Sequence, residues 1–149
     1  MKEYIVLTRL GKMAFEVDRD QIVKLSFTDR PQTSALFPVC VNMAVKEIDQ
    51  YLNREITVFS ISYRLNARGF QLQVLRALLE IGYGQLITYK ELAIKAGFPL
   101  SWRATAMACK HNPLPLIIPC HRVVRSDGTI GGYAGGTAIK HQLIELEKR

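Results

Sequence analysis

The stretch TYKELAIKAGFPLSWRATAMACKHNP, Thr88 to Pro113, decides how the second half of the chain folds. Thr88 and Glu91 have the spacing of a capping box, in which the threonine oxygen accepts from the backbone three residues on and the glutamate reaches back. Gly97 and Pro99 stop the helix that begins there, Ser101 is placed to cap another, and Pro113 bounds it. Two helices across a tight, glycine-containing turn have the form of a helix-turn-helix. Any helical hairpin shares that pattern, so alone it is a weak sign of nucleic-acid binding. The second helix adds two details. Ala104, Ala106 and Ala108 are too small to hold the backbone away from a groove, and Arg103 and Lys110 put cations at its ends.

Charge points the same way. The chain of 149 residues carries a net charge of +7, and between Thr88 and Arg125 six basic residues face one acid, Glu91, so that window alone carries +5. A solvated basic face and a polyanion site both produce such a window. Composition is that of an ordinary globular protein, 48% apolar and 22% charged, which argues against disorder and fibrous classes. Three cysteines, Cys40, Cys109 and Cys120, without regular spacing, predict free thiols in a reducing compartment. The opening MKEYIVLTRL has too short an apolar run for a signal peptide, and the longest uncharged run, residues 31–45, is broken by Gln32, Pro38 and Asn42. The expectation is a soluble protein that is not exported, cytoplasmic, or nuclear if eukaryotic.

Towards the N-terminus the character differs. Residues 3–9, 12–18 and 21–27 alternate or are β-branched between turn-like breaks and are expected as strands. Residues 28–38 read as a loop, VCVNMAVKEIDQYLN as a helix with Val41, Val45, Ile48 and Leu52 on one face, and EITVFSISY as a further strand. Past NARG a helical stripe of Phe70, Val74, Leu78 and Ile81 begins. The fold class is therefore α/β, of the α+β kind: a strand-rich N-terminal domain of mixed sheet plus helix over residues 1–65, then a mainly helical domain with a helix-turn-helix over 66–149.

The segment NPLPLIIPCHRVVRSDG, Asn112 to Gly128, sets Cys120 between Pro119 and His121, with Arg122 next. A thiol becomes a good nucleophile when a neighbouring imidazole or cation draws its pKa from about 8.5 towards neutrality. A buried structural cysteine in an apolar run is the competing reading. The surroundings favour chemistry: a proline fixes the backbone on one side, an arginine adds positive potential on the other, and SDGTIGGYAGG supplies a glycine-rich loop that lets a planar ligand approach backbone closely.

NPLPLIIPCHRVVRSDGTIGGYAGG resembles the active-site segment of the O6-alkylguanine-DNA alkyltransferases, whose signature is Pro-Cys-His-Arg-Val. The resemblance extends back through ITYKELA and RATAMACKHNP and forward to Glu147, covering about residues 68–149. It implies direct-reversal DNA repair: a damaged nucleotide is flipped out of the duplex and its alkyl group passes from the guanine oxygen to Cys120, once per molecule. By the same resemblance His121 is the base of Cys120, reached through a water, Glu147 orients His121, and Asn112 bonds the turn that carries Cys120. Tyr89 and Arg103 manage the DNA, one helping to rotate the nucleotide and the other filling its place in the stack, with Ala104, Lys110 and Arg122 completing the DNA contacts. Tyr89, Val123, Gly131, Tyr133, Ala134 and Lys140 border the guanine. Two departures stand out: Ala134 occupies a position where some relatives have serine, and Trp102 one where a small residue is common.

No metal and no organic cofactor is implied, and no Cys/His set has zinc-ligand spacing. The expected partner is double-stranded DNA containing O6-alkylguanine, bound by a monomer, with no membrane. A lesion-binding module without transfer is the alternative; such relatives lack the cysteine that this chain has. A cysteine hydrolase is disfavoured, because such enzymes bring Cys and His from distant segments and need an oxyanion hole, and neither is readable here. At the chain end, Thr137 is expected to cap a helix whose Ile139, Leu143 and Leu146 form the docking face for Glu147.

Overall fold

The computed structural model describes residues 1–148; Arg149, the last residue of the expected C-terminal domain, lies outside the described residues. Two compact units divide the chain, Met1–Asn66 and the residues from Ala67 onward, and both helix and sheet are present.

In the first unit, strands β1 (Lys2–Thr8), β2 (Gly11–Asp18) and β3 (Gln21–Phe27) form an antiparallel meander in the order β1-β2-β3. Asp18 pairs with Gln21 across a two-residue turn whose Arg19 and Asp20 both have positive φ, 52° and 57°. That conformation matches the right-handed twist of the strands it joins. Helix α1 (Val39–Leu52) packs against β1 and β3 through Val41, Ala44, Ile48 and Tyr51. Its buried face is rotated from the expected one, since Val45 and Leu52 are only half-buried while Glu47 points inward.

Glu47 also explains the one strand that fails to form. Its carboxylate accepts from the Ser60 backbone N–H at 2.7 Å and the Ser60 hydroxyl at 2.5 Å. So held, EITVFSISY meets the sheet only at an isolated bridge, Ile22 to Tyr63. Alternation in sequence had no ladder to join.

The second unit holds α2 (Gly69–Leu79), β4 (Ile87–Thr88), α3 (Tyr89–Ala96), α4 (Trp102–Lys110), a 3-10 turn at Cys120–Arg122, β5 (Val123–Val124) and α5 (Thr137–Glu147). The capping box of Thr88 and Glu91 forms, with bonds of 3.1 and 2.9 Å, and Gly97 ends α3 in the left-handed conformation, φ 93°. Ser101 begins α4 without a side-chain cap; its carbonyl instead accepts from the Thr105 backbone and hydroxyl, each at 2.9 Å. Helices α2, α3 and α4 pack around Val74, Leu75, Leu78, Leu92 and Ala93, all sealed from solvent.

Two short features place the reactive segment. Strands β4 and β5 pair in parallel, Ile87 with Val123 and Thr88 with Val124. The pair fixes the start of α3, at Tyr89, beside the turn that begins at Cys120. At α5 the N-cap is Gly136, φ 95°, and Thr137 is already helical. Its buried residues are Lys140, Leu143, Ile144 and Glu147, the i, i+3, i+4, i+7 pattern of one helical face. The expected Ile139 and Leu146 are only half-buried, because the inward stripe is built around a lysine and a glutamate that apolar periodicity does not count.

Candidate active site

Cys120 opens the 3-10 turn directly after Pro119 and is 7% exposed. The loop before it doubles back at Leu116, a non-glycine residue at φ 77°. A leucine in that region carries strain and persists only where its surroundings hold it. Asn112 supplies the hold: its Nδ2 donates to the Ile118 carbonyl and its Oδ1 accepts from the Leu114 N–H, both at 2.9 Å.

Behind the thiol lies a buried polar chain. His121 Nε2 is 2.8 Å from Glu147 Oε2 and carries the proton, since a carboxylate only accepts. Its Nδ1 is left as an acceptor with no hydrogen-bond partner among the described residues. Glu147 also accepts from Arg122 Nε at 2.8 Å, Arg122 Nη2 at 3.0 Å and the Gly84 N–H at 3.2 Å. Arg122 Nη1 donates to the Ile81 carbonyl, just past the end of α2, at 2.6 Å. Arg122 was expected among the DNA contacts. Its side chain is buried, with its donors committed to Glu147 and Ile81.

Burial raises the pKa of Cys120 above 9.0, opposed by the Asn112 hydrogen bond and the nearby Lys140 charge. Burial likewise pushes His121 below 6.5, against the pull of Glu147. At rest the pair is thiol and neutral imidazole. Desolvation thus acts against the neighbours that were expected to draw the thiol towards neutrality.

A cavity of about 870 Å³ opens in front of Cys120. The starts of α3 and α4, the inner face of α4 and the glycine-rich loop wall it, and Tyr89, Lys110, Gly131, Tyr133 and Ala134 lie in its lining. Burial raises the Tyr89 hydroxyl to about 12 and takes Tyr133 well above 10.0, so both are O–H donors at neutral pH. Gly131 has φ 78°, and a Cβ there would stand 3.1 Å from the Tyr89 hydroxyl; glycine lets loop and tyrosine approach. Lys140 lies behind this wall, fully buried. It donates to the Val123 carbonyl at 2.7 Å and to Gly132 at 3.2 Å, thereby tying β5 to the glycine loop. Desolvation lowers its pKa to about 8. Val123 faces Lys140 through its carbonyl while its side chain is core.

Arg103 and Ala104 are exposed at the start of α4, with the Arg103 guanidinium 5.1 Å from the Trp102 ring centre. Sequence reasoning missed Cys109 as a second thiol of the cavity and Lys90, Trp102 and Arg125 as parts of its rim. For Cys109 and Trp102 the signal was present, because they sit seven residues apart on one helical face, and that face is also the one carrying Ala106. Among the described residues no group of three His, Cys, Asp or Glu side chains is placed to hold a metal ion, and no helix is long and apolar enough to cross a membrane.

The family model described as 6-O-methylguanine DNA methyltransferase, DNA binding domain, matches residues 69–149. The chain belongs to this family. A curated relative, the methylated-DNA--protein-cysteine methyltransferase of Methanosarcina barkeri, is 41% identical over 105 residues, 70% of this chain and 66% of that protein. The aligned stretch thus spans just under two thirds of that relative. Among solved structures, Mycobacterium tuberculosis OGT in complex with DNA has a TM-score of 0.87 at 32% identity, covering 98% of this chain and 92% of that one. The O6-methylguanine-DNA methyltransferase of Pyrococcus kodakaraensis, at 23% identity and a TM-score of 0.75, shares the fold. The buried residues Cys120, His121, Glu147 and Asn112 all lie inside the matched segment.

Proposed function

We propose that this protein repairs DNA by direct reversal, moving an alkyl group from O6-alkylguanine in duplex DNA to Cys120 in a single turnover. The observation that carries the proposal is a thiol at the wall of a cavity roomy enough to admit a base, next to a buried imidazole whose Nε2 is held by a carboxylate. The target oxygen is inaccessible in a stacked pair, so the nucleotide must leave the duplex. Helices α3 and α4 serve as the helix-turn-helix, with Ala104 against the backbone, Lys110 on phosphate and Arg103 filling the vacated stack, as wedge residues do. The first unit acts as a support domain.

Chemistry follows in balanced steps. The Cys120 proton passes to His121 Nδ1, and Glu147 stabilises the imidazolium that results. The sulfur attacks the alkyl carbon, a C–S bond forms as the O6–C bond breaks, and the electron pair leaves with the guanine oxygen. Tyr89, protonated at neutral pH, donates the proton that neutralises the departing ring, and solvent returns a proton to Tyr89 as the His121 imidazolium gives its own up, so both groups end as they began. The thioether has no ready leaving route, so the protein is consumed.

Intact-mass measurement after mixing with duplex containing O6-methylguanine tests this: a methyl gained in place of a hydrogen on Cys120 is expected. Tight binding without an adduct would instead mark a lesion-binding module. Arg103→Ala should slow repair of duplex by at least about tenfold more than reaction with free O6-benzylguanine, which needs no extrusion. Equal slowing of both would make Arg103 structural. Tyr89→Phe, which removes the proton donor, should slow both. Affinity for DNA should fall steeply with salt as counterions released by Lys90, Lys110 and Arg125 are recovered; a flat salt dependence would contradict a phosphate-binding face.

A further inference from the structure

Four residues of α4 line the cavity, Trp102, Ala106, Cys109 and Lys110. Their spacing defines one helical face. At 1.5 Å per residue, Trp102 and Cys109 stand about 10 Å apart along it. Cys109, 7% exposed, marks the inner end of that face and lines the cavity with Cys120. Trp102 marks the other end, 38% exposed, with Lys90 Nζ 5.6 Å and Arg103 Cζ 5.1 Å from its ring centre. The transfer steps above need no indole, and a half-open tryptophan at a helix start is not explained by core packing.

We propose that Trp102 is a stacking platform for an unpaired nucleobase at the mouth of the cavity, an inference that rests on the DNA-repair reading above. Every base has a π-face, so an aromatic ring beside a basic groove holds single-stranded nucleotides of any sequence. In the protein alone, the ring face is met by two cations. Stacking of a base on an aromatic side chain outweighs a cation–π contact at an exposed site. An arriving base therefore replaces a cation on the ring, and the displaced Arg103 or Lys90 becomes free to meet the strand. Binding of the base and release of the arginine are thus one exchange. The ring also lies on the route by which an extruded base would reach Cys120, since both border the same cavity.

Trp102 is the only tryptophan in the chain, so intrinsic fluorescence reports on it alone. The full chain is titrated with a mixed-sequence single-stranded 12-mer and with duplex containing O6-methylguanine, and quenching is expected with both. By fluorescence anisotropy of labelled strand, Trp102→Ala should weaken single-strand binding about tenfold, while Trp102→Phe, which keeps a π-face, retains most of it. The duplex rate of Trp102→Ala should fall at least about fivefold relative to its rate with free O6-benzylguanine. Fluorescence unchanged at saturation, or an alanine variant that binds as tightly as the parent, overturns the proposal. So does equal slowing of both substrates, which would make the ring a seat for the adduct. Failure of the parent to methylate Cys120 would defeat the repair reading instead, and the quenching and affinity measurements remain decisive for stacking.

Discussion

Cys120→Ser is expected to abolish alkyl transfer altogether while leaving DNA affinity within about twofold of the parent. The two side chains have similar size, so the turn held by Asn112 keeps its packing. What changes is acidity. Burial already raises the Cys120 thiol above its ordinary value, and an alcohol in the same place is far less acidic and a much weaker nucleophile towards an alkyl carbon. Cys109 makes this test sharp, because it borders the same cavity and so is exposed to the same substrate. Burial above all takes its pKa to about 12, which keeps it a poor nucleophile. Intact mass of Cys120→Ser after exposure to O6-methylguanine duplex should show no adduct. A methyl on Cys109 would mean that position in the cavity, rather than the His121 relay, selects the acceptor. Cys40→Ala, in the other unit, is the control and should transfer normally.

The rate should also depend on pH in a stated direction. His121 works as a base only when neutral, and its pKa is depressed from 6.5. Loss of transfer on acidification is therefore confined to pH values below 6.5. Above that, the rate climbs as the raised Cys120 pKa is approached. A separate acid limb with its midpoint at pH 7 or above would place a different base in the relay.

Local chemistry was legible in the sequence where it obeys short-range rules. The capping box at Thr88 and Glu91, the glycine stop at Gly97 and the three N-terminal strands each depend on residues within one turn or one hairpin, and each formed. Readings that depend on which polar side chains turn inward were not legible. Glu47 took Ser60 from the expected strand, Lys140 and Glu147 displaced Ile139 and Leu146 from the buried stripe, and Arg122 turned to the interior. In all three cases a charged residue is buried because a partner far along the chain satisfies it, and periodicity of apolar residues carries no trace of such a partner. The Cys120 pKa was not legible for a related reason. Neighbours in sequence suggested a cationic surrounding, whereas the fold buries the thiol and spends the Arg122 charge on Glu147.

That same commitment changes what is expected of Glu147→Gln. From the sequence, the substitution should leave the fold intact and only slow transfer. In the structure Glu147 accepts hydrogen bonds from Gly84, His121 and Arg122, two of them from the buried guanidinium. A glutamine keeps one acceptor oxygen, turns an amide N–H₂ towards an Arg122 N–H that can only donate, whichever way the amide sits, and leaves the Arg122 charge without its counter-ion. Removing one partner of a buried pair typically costs about 3–5 kcal/mol, so the melting temperature should fall by about 10 °C or more. Stability alone would not identify a catalytic relay, so rates are compared at a temperature where both proteins are folded. There the loss of the carboxylate removes the influence that raises His121. The imidazole becomes a weaker base, the acid limb of the pH profile moves to lower pH, and transfer at neutral pH slows at least about tenfold. Arg122→Met provides the contrast: it too disrupts the buried pair and lowers the melting temperature, but it leaves Glu147 to hold His121, so its rate should fall much less. A Glu147→Gln pH profile that overlays the parent, with only the melting temperature changed, would make Glu147 a purely structural partner of Arg122 and remove it from the proton relay.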